Sequence, residues 1–140
     1  MKLDHQFLVK QALEAREMSY CPYSDFAVGA ALLSKDGKIY KGCNIESASY
    51  SPTNCAERTA VFKAVSEGVR EFSAIAVVGG KQGILPQDYA WPCGVCRQVL
   101  IEFCDPDEFI VIVGKDENEY QVFTLGELLP QGFSPKNLKK

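Results

Sequence analysis

Two short strings hold the residue types that do chemistry: Cys55-Ala56-Glu57 and, further along, Pro92-Cys93-Gly94-Val95-Cys96. Together they offer three thiolates with a carboxylate beside them. Three protein ligands is the count of a catalytic zinc, since a structural zinc takes four and closes its tetrahedron. The open corner accepts water, whose pKa the metal lowers to about 7, so hydroxide is available at neutral pH. Glu57, two residues from one ligand, is spaced to move protons. The set predicts one Zn²⁺ per subunit, held by Cys55, Cys93 and Cys96, and hydrolytic chemistry.

Cys93 and Cys96 are three apart at a predicted helix start, which puts their Cβ atoms about 5–6 Å apart. Two sulfurs on one tetrahedral zinc, each about 2.3 Å from it, lie about 3.8 Å from each other, within reach of that spacing. Cys55 opens a different predicted helix. At both N-termini the unpaired N–H groups and the positive dipole end favour thiolate. Three thiolates leave the centre net negative and its water less acidic. Arg58 is placed to offset this by donating to one or more sulfurs, with Arg97 a weaker candidate. Cys104, eight residues past Cys96, would lie about 12 Å along the helix and cannot share the ion. Spacing does not exclude Cys21 or Cys43, so a closed four-cysteine structural site, the core of a zinc-stabilised binding module, is the competing reading. A redox Cys93-x-x-Cys96 pair leaves Cys55 and Glu57 without a role.

The elements that position these residues follow from pattern. Leu3, Phe7, Leu8, Ala12 and Ala15 share a helical face, ending before Pro22. Phe26 to Leu33 and Ile39 to Cys43 read as strands around the turn Ser34-Lys35-Asp36-Gly37. Asn44 to Asn54 is a polar loop. Ala56, Ala60 and Ala64 mark a helix over about 55–68 with Gly68 at its end. Ala74 to Val78 is apolar throughout, as in a strand covered on both faces. Gly79 to Ala90, with three glycines, reads as a long loop. A helix over about 93–103 ends at Asp105-Pro106. Strands over 109–113 and 120–123 follow, and Thr124-Leu125-Gly126-Glu127 has capping-box spacing for a short last helix. The order predicts a mixed sheet with helices packed on it.

Bulk properties narrow the classes. A chain of 140 residues, 46% hydrophobic and 24% charged, suits one compact soluble domain. The net charge of −3, with no basic stripe, argues against a nucleic-acid partner. No apolar run is long enough to span a bilayer and no leader is visible, so a cytoplasmic, membrane-free location is expected. Clustered cysteines in a reducing compartment more often bind metal than pair. Cys21, Cys43 and Cys104 are expected as free, partly buried thiols.

With those motifs in place, the chain resembles the short, homotetrameric class of zinc-dependent cytidine deaminases over nearly its whole length. The zinc deaminase signature, here in its Cys form, is Cys55-Ala56-Glu57 followed by Pro92-Cys93-Gly94-Val95-Cys96. Cys21 to Ala30, Asn44 to Tyr50, and Leu128 to Phe133 resemble further family segments. The resemblance implies a single domain over 1–140 with a three-layer α/β/α fold around a mixed five-stranded sheet. It implies deamination of cytidine and 2′-deoxycytidine to uridine and 2′-deoxyuridine plus ammonia, as in pyrimidine salvage. Zinc hydroxide would attack C4 while Glu57 shuttles protons. Phe26 would line the pyrimidine pocket, and the Ala56 N–H and Trp91 carbonyl would orient the ring. Asn44 and Glu46 would bond the 3′-hydroxyl. Ala48, Tyr50 and Phe133 would reach a neighbouring subunit's site in a homotetramer. Elementary chemistry agrees: aromatics suit a flat base, an amide and a carboxylate suit sugar hydroxyls, and Glu46 repels phosphate, favouring a nucleoside.

The pattern departs from the family in two places. The 79–90 stretch is longer than expected, and Trp91 stands at the pocket edge where a smaller residue is usual. The competing enzyme reading is an aminohydrolase of another cytosine nucleoside, such as a blasticidin-type antibiotic, and Asn44 and Glu46 argue against it.

Overall fold

Alternation along the strands sorts the apolar side chains to two faces of one sheet, and each face takes its own helices. The computed structural model describes residues 3–138. In chain order the elements are α1 (His5–Arg16), β1 (Phe26–Ser34), β2 (Ile39–Cys43), α2 (Ala56–Ser66), β3 (Phe72–Lys81), α3 (Gly94–Phe103), β4 (Ile110–Asp116), β5 (Glu119–Thr124) and α4 (Leu125–Leu128), then a 3₁₀ turn, Pro135–Asn137. The strand order is β2-β1-β3-β4-β5, with β3 and β4 parallel and every other pair antiparallel. Ala30, Leu32, Ile75, Val77, Val111 and Val113 pack under α2 and α3. Ala31, Ala74, Ala76, Val78 and Ile112 pack under Leu8, Val9 and Ala12 of α1. This is the expected mixed five-stranded sheet with helices on both faces.

Two glycines set how closely the helices approach. A Cβ at Gly29 would lie 2.0 Å from the Ala12 carbonyl oxygen, so α1 rests on the backbone of β1. A Cβ at Gly42 would lie 2.5 Å from the Ala56 oxygen and 2.5 Å from the Ala60 nitrogen. The first turn of α2 therefore seats directly on β2, helped by the small Ala56, Ala60 and Ala64 on its buried face. That seat fixes Cys55 and Glu57 relative to the sheet.

The capping box at Thr124 and Glu127 forms as expected. The structure corrects the 79–90 loop: β3 continues through Gly79 and Gly80 to Lys81. Glycine weakens a strand's own preference, but β1 supplies the pairing, with Ala27 opposite Gly80 and Phe26 opposite Lys81. Small residues are required there because a Cβ on Gly79 would lie 2.8 Å from Ala90 and 3.1 Å from the Phe26 ring. None of the described helices is long and apolar enough to cross a membrane.

Candidate metal centre

The N-termini of α2 and α3 meet at three sulfurs. Cys55 is the N-cap of α2, Cys93 the N-cap of α3, and Cys96 lies in the first turn of α3. The Cys55 and Cys93 Sγ atoms are 3.6 Å apart, and Cys93 and Cys96 3.4 Å. All three lie within 4.8 Å of one another, and among the described residues no fourth Cys, His, Asp or Glu joins them. Cys21, Cys43 and Cys104 are free thiols elsewhere, so a four-cysteine closed site does not form. Thiolates on a tetrahedral zinc sit about 3.8 Å apart; the observed spacings and the soft donor set fit that ion, with one corner left over.

Electrostatics favours thiolate at Cys55, while the hydrogen bond to Cys55 and burial push the Cys96 thiol up. The Arg58 guanidinium donates from Nη2 to Cys55 Sγ at 3.3 Å. Hydrogen bonding from the Cys96 thiol and from Arg58 holds Cys55 well below the ordinary thiol range. The same contact pushes the Arg58 pKa up. Arg97 does not take that role: its Nη1 donates to the Leu128 carbonyl at 2.5 Å, tying α3 to α4. Glu57 lies in the first turn of α2 and is 4% exposed. Burial pushes its carboxyl up to about 7, and the neighbouring Cys55 charge acts in the same direction. Ala56 is fully buried at the first helical position, where a backbone N–H has no intrahelical partner.

Phe26, Asn44 and Glu46 converge at the start of β1. The Phe26 ring is 44% exposed. Asn44 is buried and its amide bridges the strand backbone, accepting from Val28 N–H at 2.9 Å and donating to the Phe26 carbonyl at 2.8 Å. Ile45 is pinned between Tyr20 and Asn54 by isolated bridges, which presents Glu46. The Glu46 carboxylate accepts from the Ser24 hydroxyl and from the Tyr23 and Ser24 N–H groups. Ser24 above all, then those backbone donors, holds the carboxylate below its usual range. Tyr23, Ser24, Glu46, Tyr50 and Thr53 line a surface recess of about 320 Å³. Sequence reasoning missed Ser24. Its signal was its place two residues before Phe26, where a serine hydroxyl commonly bonds the following backbone.

The remaining expected residues are at the surface. The Trp91 indole, 51% exposed, packs on Phe123 at 5.4 Å and Tyr89 at 6.1 Å between ring centroids. The indole thus meets β5 edge-on. Ala48 is exposed, and Tyr50 is 72% exposed with a left-handed backbone, φ 55°. Phe133 is 58% exposed, its carbonyl held by the Gln98 side-chain amide at 2.8 Å.

Residues 2–113 match the family described as the cytidine and deoxycytidylate deaminase zinc-binding region. The cytidine deaminase of Halalkalibacterium halodurans is 51% identical, over 97% of this chain and 98% of its own length. That of Sporosarcina psychrophila is 48% identical, over 97% and 96%. The crystal structure of cytidine deaminase from Burkholderia pseudomallei superposes with a TM-score of 0.83 at 47% identity, covering 94% of this chain and all of that one.

Proposed function

The chain belongs to the cytidine and deoxycytidylate deaminase family, and on that premise we propose that it is a zinc-dependent cytidine deaminase. It converts cytidine and 2′-deoxycytidine to the uridine products and ammonia. The observation that carries this is three clustered thiols with a buried carboxyl beside them and no fourth ligand among the described residues.

Cys55, Cys93 and Cys96 hold the zinc, which when bound supplies the Lewis acidity that makes water a nucleophile at neutral pH. Everything else is done by side chains and backbone of this chain. Glu57 takes the proton released by the attacking water, returns it at N3 of the ring, and then helps protonate the departing amine. Its burial supports this, since a carboxyl removed from bulk water can hold a proton that an exposed one would lose. Arg58 tempers the charge of the thiolate cluster through Cys55. Phe26 offers a flat face to the pyrimidine, while the Ala56 N–H and Trp91 carbonyl orient the base. Asn44 and Glu46 bond the 3′-hydroxyl, and the negative Glu46 disfavours a phosphorylated sugar.

Residues 1–140 make one such domain, and the working form is a homotetramer. The exposure of Tyr50 and Phe133 supports their reaching a neighbouring subunit's site, with Ala48 beside them. A cytoplasmic role in pyrimidine salvage fits six cysteines that are all free. Glu57→Gln, assayed by the absorbance change from cytidine to uridine, is expected to lower kcat by about 10³-fold with zinc still bound. Turnover within tenfold of the unaltered protein at full zinc content would refute the proton-shuttle role.

A further inference from the structure

The carboxylate assigned to the sugar does not stand alone. Its Oε1 accepts from the Tyr23 N–H at 2.9 Å and the Ser24 N–H at 3.2 Å, and its Oε2 accepts from the Ser24 hydroxyl at 2.5 Å. An ionised carboxylate offers about two lone-pair positions on each oxygen. Oε1 is therefore filled, and Oε2 keeps one position, beside Ser24 Oγ. The Ser24 oxygen in turn accepts from the Phe26 N–H at 3.0 Å, while the Phe26 carbonyl accepts from Asn44 at 2.8 Å. The intervening Asp25 is left-handed, φ 59°, and its own N–H and carbonyl are bonded to Cys21 and Gln82. The turn is thus held from both sides.

We infer that Ser24 is a positioning residue for ribose recognition: its hydroxyl aims the one unfilled acceptor position of Glu46 at the 3′-hydroxyl and couples that carboxylate to the backbone that carries Phe26. This rests on the reading of Glu46 as the sugar carboxylate. Without the hydroxyl, Glu46 keeps its two backbone donors but Oε2 is free to rotate toward solvent. Substrate must then order it on binding, so the larger cost falls on KM for a substrate that has the 3′-hydroxyl, with a smaller loss common to every substrate from the Phe26 N–H, which loses its acceptor.

The test compares Ser24→Ala, Ser24→Thr and Glu46→Gln on cytidine and on 3′-deoxycytidine, at equal zinc content and unchanged melting midpoint. Ser24→Ala is expected to raise KM for cytidine about tenfold with kcat little changed, the loss typical of one hydrogen bond to a charged group. With 3′-deoxycytidine the same variant should lose no more than about threefold, and Ser24→Thr should restore most of the cytidine KM. Equal losses on both substrates, or no loss on cytidine, would overturn the inference, since a residue that only props the turn penalises both alike. If Glu46→Gln discriminates the two nucleosides and Ser24→Ala does not, the inference fails while the sugar reading stands. If Glu46→Gln discriminates neither, the sugar reading fails and takes the inference with it.

Discussion

The helices α1 and α2 lie on opposite faces of one sheet, and each sits on strand backbone where a glycine leaves room. Their N-termini are nonetheless finished differently. At α1 the Asp4 carboxylate accepts from the Phe7 N–H at 3.0 Å, an ordinary oxygen cap. At α2 the N-cap is Cys55, with no side-chain capping bond, and at α3 it is Cys93, whose sulfur, not an oxygen, accepts from Cys96 N–H at 3.5 Å. The end that serves only the fold gives its donor to a carboxylate oxygen, whereas the ends that serve the metal present theirs, with the dipole, to ligand sulfurs. Burial of Ala56, Glu57 and Ala60, and the Arg58 contact, hold the start of α2 in place of a cap.

The sharpest way to break that comparison is to remove the metal. Chelation is expected to abolish cytidine turnover and lower the melting midpoint by about 5 °C or more, the shift that roughly 2 kcal/mol produces in a chain of this size. Hydrogen exchange should quicken in the first turns of α2 and α3 and stay unchanged in α1. Uniform quickening on both faces would mean that the two ends are not independent.

Next in size are the glycines. Gly29→Ala and Gly42→Ala both force a Cβ against helix backbone and should cost about 1–3 kcal/mol of stability by denaturant titration. Only Gly42→Ala shifts the turn that carries Cys55 and Glu57, so it should also cut kcat per bound zinc about tenfold or more. Gly29→Ala should leave kcat within about twofold. The reverse ranking in kcat would show that α1, not α2, positions the site. Smallest is the cap itself: Asp4→Ala should cost about 1 kcal/mol with turnover per folded molecule unchanged.

Much of this was legible in residue order. The two strings of site residues, the alanine-spaced helix with Gly68 beyond its end, and the capping box at Thr124 all announce local structure through local chemistry. Gly79 and Gly80 were not legible as strand, because their extended backbone comes from pairing with β1, which is remote in sequence. Arg97 was misplaced for a related reason. A side chain's direction depends on what packs beside it, here the Leu128 carbonyl.

Sequence by itself determined the ligand types, their number, the carboxylate next to one of them, and the helices at whose starts they sit, since each of these is a property of neighbours along the chain. Only the tertiary structure decided that the two helix starts meet, that Cys21 and Cys43 stay away, and that Ser24 fills three of the bonds around Glu46 and Phe26. Those outcomes depend on distances of a few ångströms between segments far apart in the chain. Such distances are fixed by how closely glycine and alanine let helix approach strand, and no local pattern encodes them.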